Sequence, residues 1–189
     1  MTTNNTEPPA EPHFGFKAVT LDNVLTVDPI VATMVKRERS TGDIYHQEPE
    51  DWVPVVLAIE LDARVPWEIR RMFAFSRGAM CYAGWYYPAL TLGAHDMLRI
   101  ADSAAAAACR ERGINQPIGK RFFTFEQNIK ALSEAGIIEP SDVRLWNIIR
   151  DQRNRTTHPA AQHIYDFAFA YDVLKIVRDL INRLDWLQA

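Results

Sequence analysis

Residues 162–187 read QHIYDFAFAYDVLKIVRDLINRLDWL. Apolar side chains fall at Ile164, Phe167, Tyr171, Leu174, Val177, Ile181 and Leu184, in steps of three, four and back again. A helix that turns once every ~3.6 residues gathers these positions into one stripe, and a stripe of that length has to be covered by other helices. The segment therefore predicts the closing helix of an antiparallel helical bundle.

Working back from this helix, the pattern recurs. PSDVRLWNIIRDQRNRTTH, residues 140–158, carries Val143, Trp146 and Ile149 on one face, with Ser141 placed to cap it. FTFEQNIKALSEAGII, residues 123–138, presents Phe125, Ile129 and Leu132 and ends at Gly136. INQPIGKR before it is a loop, and its likeness to a phosphate loop fails for want of the glycine spacing and of a Ser or Thr after the lysine. ALTLGAHDMLRIADSAAAAACRERG, residues 89–113, continues through an alanine run to Gly113, where a helix C-terminal glycine belongs. WEIRRMFAFSRGAMCYAGWYY, residues 67–87, places Ile69, Met72, Phe73, Met80 and Trp85 at helical spacing, and Pro88 kinks or breaks it. Four to five helices from residue 66 to 189 are expected, an all-α fold with a less regular N-terminal arm.

That arm covers residues 16–65. FKAVTLDNVLTV suggests a short strand, and DPIVATMVKRE opens with Asp28 as cap and Pro29 in the first turn of a short helix. STGDIYHQEPED is expected to be a loop, and WVPVVLAIELD fits helix or strand equally. Residues 1–15, rich in Thr, Asn, Glu and Pro, have too little apolar surface to order and are expected to form a disordered tail.

The bulk composition suits one globular domain: 189 residues, 48% hydrophobic, with no apolar run of bilayer length. The polar, proline-rich start has no signal-peptide pattern, which points to the cytoplasm and away from membranes. Cys81 and Cys109 stand in apolar surroundings with no metal-ligand spacing and read as small buried hydrophobes. The net charge of −3 conceals an asymmetry, because residues 1–65 carry 11 acidic and 5 basic side chains and residues 66–189 carry 13 and 16. The basic excess centres on Arg144, Arg150, Arg153 and Arg155, a distribution that attracts phosphate.

Three of those arginines lie in RDQRNRTTHP, residues 150–159. Arg153 follows Ile149 by four and Trp146 by seven, so a continuous helix aims it along the apolar face toward a partner. His158 precedes Pro159, which disfavours helical angles and releases the imidazole from helical phase, so the two side chains can converge. Asn154 and Thr157 are placed to orient them. The structural alternatives are an ion pair of Arg153 with Asp96 or Asp151, and a capping role for His158.

RNRTTHP, preceded by LWNIIRDQ and followed by a long final helix, resembles the signature of the HEPN domain family, an arginine with a polar residue behind it and a histidine four to six positions on. The resemblance spans roughly residues 66–187. It implies a homodimer of helical bundles whose motif segments face each other across a basic cleft, and in active members a metal-independent endoribonuclease without cofactor. It implies Arg153, Asn154 and His158 as catalytic residues, Arg144, Arg150 and Arg155 as RNA-binding ones, and Asp96 as a supporting acid. The chemistry suits the side chains: histidine exchanges protons near neutral pH and a guanidinium matches a phosphate. Noncatalytic members imply instead an RNA-binding or protein-interaction module, for example with an antitoxin or a defence-system partner. His95 reads as a helix residue with local hydrogen bonds, His163 as a first-turn surface residue, and Trp85, Tyr86 and Tyr87 as core or interface aromatics rather than base-stacking ones.

Overall fold

The computed structural model describes residues 16–38, 40–114, 123–156 and 164–186. The expected tail at 1–15, most of the INQPIGKR loop, and Thr157, His158 and His163 lie outside them. The described chain is mostly helical. α1 spans Pro29–Ala32, α2 Trp52–Leu57, α3 Trp67–Cys81, α4 Pro88–Glu111, α5 Phe125–Glu134, α6 Val143–Thr156 and α7 Phe167–Asn182.

The all-helical expectation needs correcting in the arm. Strands β1, Val35–Arg37, and β2, Ile44–His46, pair antiparallel with Lys36 opposite Tyr45. All six residues are exposed and each strand has three, so neither a two-residue alternation nor a buried face exists for periodicity to detect. The segment expected to be a loop supplies β2, its turn closing through Gly42 N–H to the Glu38 carbonyl at 2.8 Å. The strand expected over 16–27 is instead a turn wound round Lys17, whose Nζ donates to the carbonyls of Asn23 at 2.7 Å and Thr26 at 2.8 Å. A buried ammonium that needs several acceptors dictates a curl, which extended backbone could not provide.

Asp28, fully buried, performs two tasks. One carboxylate oxygen caps α1 through Ile30 N–H at 3.0 Å, and the other accepts Tyr87 N–H at 3.0 Å. The arm is thereby tied to the junction before α4, where α3 gives way to a 3-10 turn at Tyr82–Gly84 and the helix restarts at Pro88. Gly84 touches Pro49 so closely that a Cβ there would lie 2.4 Å from the proline Cα. Tyr87 is buried, and Tyr86 meets Phe16 edge to face. Trp52 of α2 is buried against Phe167, ring centroids 3.7 Å apart.

α4 is the central element, in contact with α3, α5, α6 and α7. Its small residues, Ala94, Ala101, Ala104, Ala105 and Ala108, are fully buried and let neighbours approach from several sides. Gly93 is the tightest approach: Ser76 Oγ of α3 donates to its carbonyl at 2.6 Å, and an added Cβ would come within 2.3 Å of Met80 Cγ. Gly113 and Gly136, at φ +62° and +71°, follow α4 and α5 in the left-handed region that favours glycine. Both cysteines are buried thiols. The residue before α6 is Asp142 rather than Ser141, and its carboxylate takes Arg183 Nε at 2.7 Å, joining the start of α6 to the end of α7. No described helix is long and apolar enough to cross a membrane.

Candidate functional site

The last two turns of α6 carry three arginines in different surroundings. Arg153 reaches across to α4, where its Nη2 donates to Asp102 Oδ2 at 3.1 Å, while Nη1 donates to Asn154 Oδ1 at 3.1 Å. Its remaining N–H groups have no acceptor among the described residues, and the side chain is 36% exposed. A guanidinium held on one side by a carboxylate and an amide, with the rest of its fork accessible, suits a planar anion such as phosphate.

Arg150 turns toward α5. It bonds Asp151 Oδ1 through Nε at 3.0 Å and Nη2 at 2.8 Å, and its Nη1 lies 3.6 Å from Glu126. Much of its charge is thus neutralised locally. Arg144 and Arg155 are exposed and make no ion pair among the described residues. Asp96 pairs with Arg99 one turn along α4, at 3.7 Å. The acid that meets Arg153 is Asp102, neither Asp96 nor Asp151.

Asp102 belongs to a line along α4. Thr91, His95 and Asp102 follow at intervals of four and seven, hence on one face. Thr91 Oγ1 accepts Tyr165 N–H at 2.8 Å, and the Tyr165 ring stands edge-on to His95 at 5.0 Å. Arg153 and Tyr165, which flank the segment 157–163, are therefore both bound to this face, about 16 Å apart along the helix. Among the described residues His95 Nε2 is buried without a hydrogen-bond partner, so its reading as a locally bonded helix residue does not hold for that nitrogen there.

Burial sets the charge states here. It pushes the Asp102 carboxyl above its ordinary value, a shift that the Arg153 guanidinium opposes. It lowers His95 and raises the Tyr165 phenol. The face is a partly dehydrated surface with one fixed cation–carboxylate pair at one end and a neutral imidazole near the other. No family model, curated protein or solved structure matches the chain.

Arg153 donates to Asn154 and Arg155 stays on the exposed side, while the expected convergence of Arg153 with His158 lies outside the described residues. Asp102 was missed; it stands between Ala101 and Ser103, just ahead of the alanine run 104–108 of α4. Carboxylates ordinarily face solvent, so its surroundings in the sequence gave no sign of a partner 51 residues away. Among the described residues no cluster of three or more His, Cys, Asp or Glu side chains is placed to hold a metal ion. The described residues supply a positioned cation, and His158, the proton-exchanging group of the sequence reading, lies outside them.

Proposed function

We propose that the chain is a HEPN-like, metal-independent endoribonuclease that cleaves RNA through its own 2′-hydroxyl. The observation that carries this reading is the Arg153 guanidinium, oriented by Asp102 and Asn154 with donors to spare, and followed five residues later in the sequence by His158. On this reading Arg153 holds the scissile phosphate and stabilises the charge that builds on it, and His158 removes or returns the proton. Asn154 and Asp102 fix the guanidinium plane. Arg155 and Arg144 attract the strand, with Arg150 contributing less because Asp151 and Glu126 offset it. The acting form is a cytoplasmic homodimer that joins two such surfaces.

The test is incubation of wild type and His158→Ala with total RNA in EDTA. Fragments bearing 2′,3′-cyclic phosphate, reduced about 100-fold or more in the variant, are expected. Equal cutting of an RNA and its 2′-deoxy analogue would refute the mechanism. A second reading, a noncatalytic RNA-binding or protein-interaction module with an antitoxin-like partner, draws on the same pair: an arginine and a carboxylate half-buried between two helices also make a structural clamp. RNA binding or partner binding without histidine-dependent products selects it.

A further inference from the structure

The outer face of α3 carries an aromatic stripe that the other described elements leave uncovered. Trp67 and Phe75 on the helix and Tyr82, the residue after it, are 62%, 64% and 65% exposed. Arg71, Ala74 and Gly78 lie between them. With ~3.6 residues to a turn, all six positions fall within an arc of about 100°. Gly78 is the anomaly on this face. It stands inside a helix, where glycine is destabilising relative to alanine, and a Cβ there would meet nothing within 4 Å. Gly84 and Gly93 are required by close neighbours in the chain, and Gly78 is not.

The stripe is complementary to its own reverse. A two-fold axis between Ala74 and Phe75 sets α3 antiparallel to the same helix of a second copy. It places Phe75 opposite the partner's Ala74, Arg71 opposite the partner's Gly78 and Trp67 opposite the partner's Tyr82. Large side chains therefore meet small ones, and at the two ends ring meets ring. A groove of about 430 Å³ beside Trp67, lined also by Leu61 and Phe75, gives the partner's Tyr82 room to enter. The arginines do not collide. Arg71 lies over the Phe75 ring of its own chain, 5.1 Å from the centroid, and seven residues of helix, about 10 Å, separate it from the partner's Arg71 along the axis.

We infer that the outer face of α3 is the seam of an antiparallel, two-fold contact between two copies of this chain. Three aromatic side chains of about 150–250 Å² each, nearly two thirds exposed, leave roughly 300–480 Å² of ring surface in water, about half of the ~800 Å² per partner that a stable interface buries. Arg71, Ala74 and the groove walls add to it. A helix of another protein is a poorer occupant, because it gives no reason for the stripe to match its own reverse or for a glycine opposite Arg71. The contact is separate from the dimer of the nuclease reading, which joins α6 surfaces, since α3 and α6 both pack on α4 and the stripe contains no α6 residue. A chain that makes both contacts assembles as a tetramer.

The test is the mass of the full chain by light scattering and sedimentation over a range of concentrations, for wild type and three variants. Gly78→Lys meets no atom near its Cβ and improves helix propensity, yet sets bulk and a like charge against the partner's Arg71. It should weaken the contact about 100-fold or more and halve the mass, from tetramer to dimer if the α6 contact also forms and from dimer to monomer if it does not. Trp67→Ala should weaken it about 30-fold. Adding Arg71→Glu to Gly78→Lys sets opposite charges face to face and should restore the wild-type mass, an outcome that loss of folding could not produce. In protein dilute enough to be monomeric, Gly78→Ala acts on the helix alone. A wild type that stays monomeric at every concentration, or a mass unchanged in Gly78→Lys with native circular dichroism, overturns the proposal; in the second case the dimer of the nuclease reading still stands. Failure of the double variant to reassociate overturns the antiparallel register.

Discussion

Substituting alanine at Gly93 and at Gly78 should shift stability in opposite directions, because the two glycines differ in what surrounds them rather than in backbone type. Both lie inside helices, where glycine costs about 1 kcal/mol relative to alanine. At Gly78 a Cβ meets nothing within 4 Å, so Gly78→Ala should gain most of that amount. At Gly93 the new Cβ would lie 2.3 Å from Met80 Cγ and 2.8 Å from the Ser76 carbonyl oxygen. Met80 is fully buried and has little room to swing away, and the Ser76 oxygen is backbone. Overpacking of this kind costs about 1–3 kcal/mol, and stretching the Ser76–Gly93 hydrogen bond adds about 1 kcal/mol. After the gain in helix propensity is subtracted, Gly93→Ala should be less stable by about 1–3 kcal/mol. Urea unfolding followed by circular dichroism measures both, with a midpoint above wild type for Gly78→Ala and below it for Gly93→Ala at unchanged slope. A Gly93→Ala midpoint at or above wild type would refute the claim that α3 and α4 are in direct contact there. The functional consequence follows from α4 itself: a shift in its packing moves Asp102, and with it the Arg153 guanidinium.

Two further outcomes concern titration on the same face of α4. Burial lowers His95 below its ordinary value, so the unfolded chain takes up that proton first; stability should be complete above about pH 6.5 and fall as pH drops through the imidazole range, a loss that His95→Gln should remove in pH-dependent urea midpoints. For Asp102 the sign reverses. Burial raises its value, the native state retains the proton longer than the unfolded chain, and stability should decline as pH rises from the ordinary carboxylate range through the raised value, more in Arg153→Met, where the opposing guanidinium is gone, and not at all in Asp102→Asn. Identical midpoints for these variants across that window would show that Asp102 is solvated rather than dehydrated.

The sequence by itself determined the helices after residue 66, since each buries a stripe long enough for its period to be counted, and it marked their ends at Gly113 and Gly136 and the break before Pro88. It also placed Asp28 as a cap and brought Arg153 and Asn154 to the end of one helix. Spacing along a chain specifies what a helix presents but not what faces it. Hence only the tertiary structure decided that Arg153 meets Asp102, because that partner is 51 residues away and is chosen by how α6 lies on α4. The arm was decided in the same way: Lys17 curls its segment around carbonyl oxygens, and two exposed three-residue strands pair through backbone hydrogen bonds that no side-chain pattern records. The junction of α2 with α3 likewise depends on Arg77 donating to the Leu57 and Ile59 carbonyls, a contact between elements whose sequences give no sign of each other.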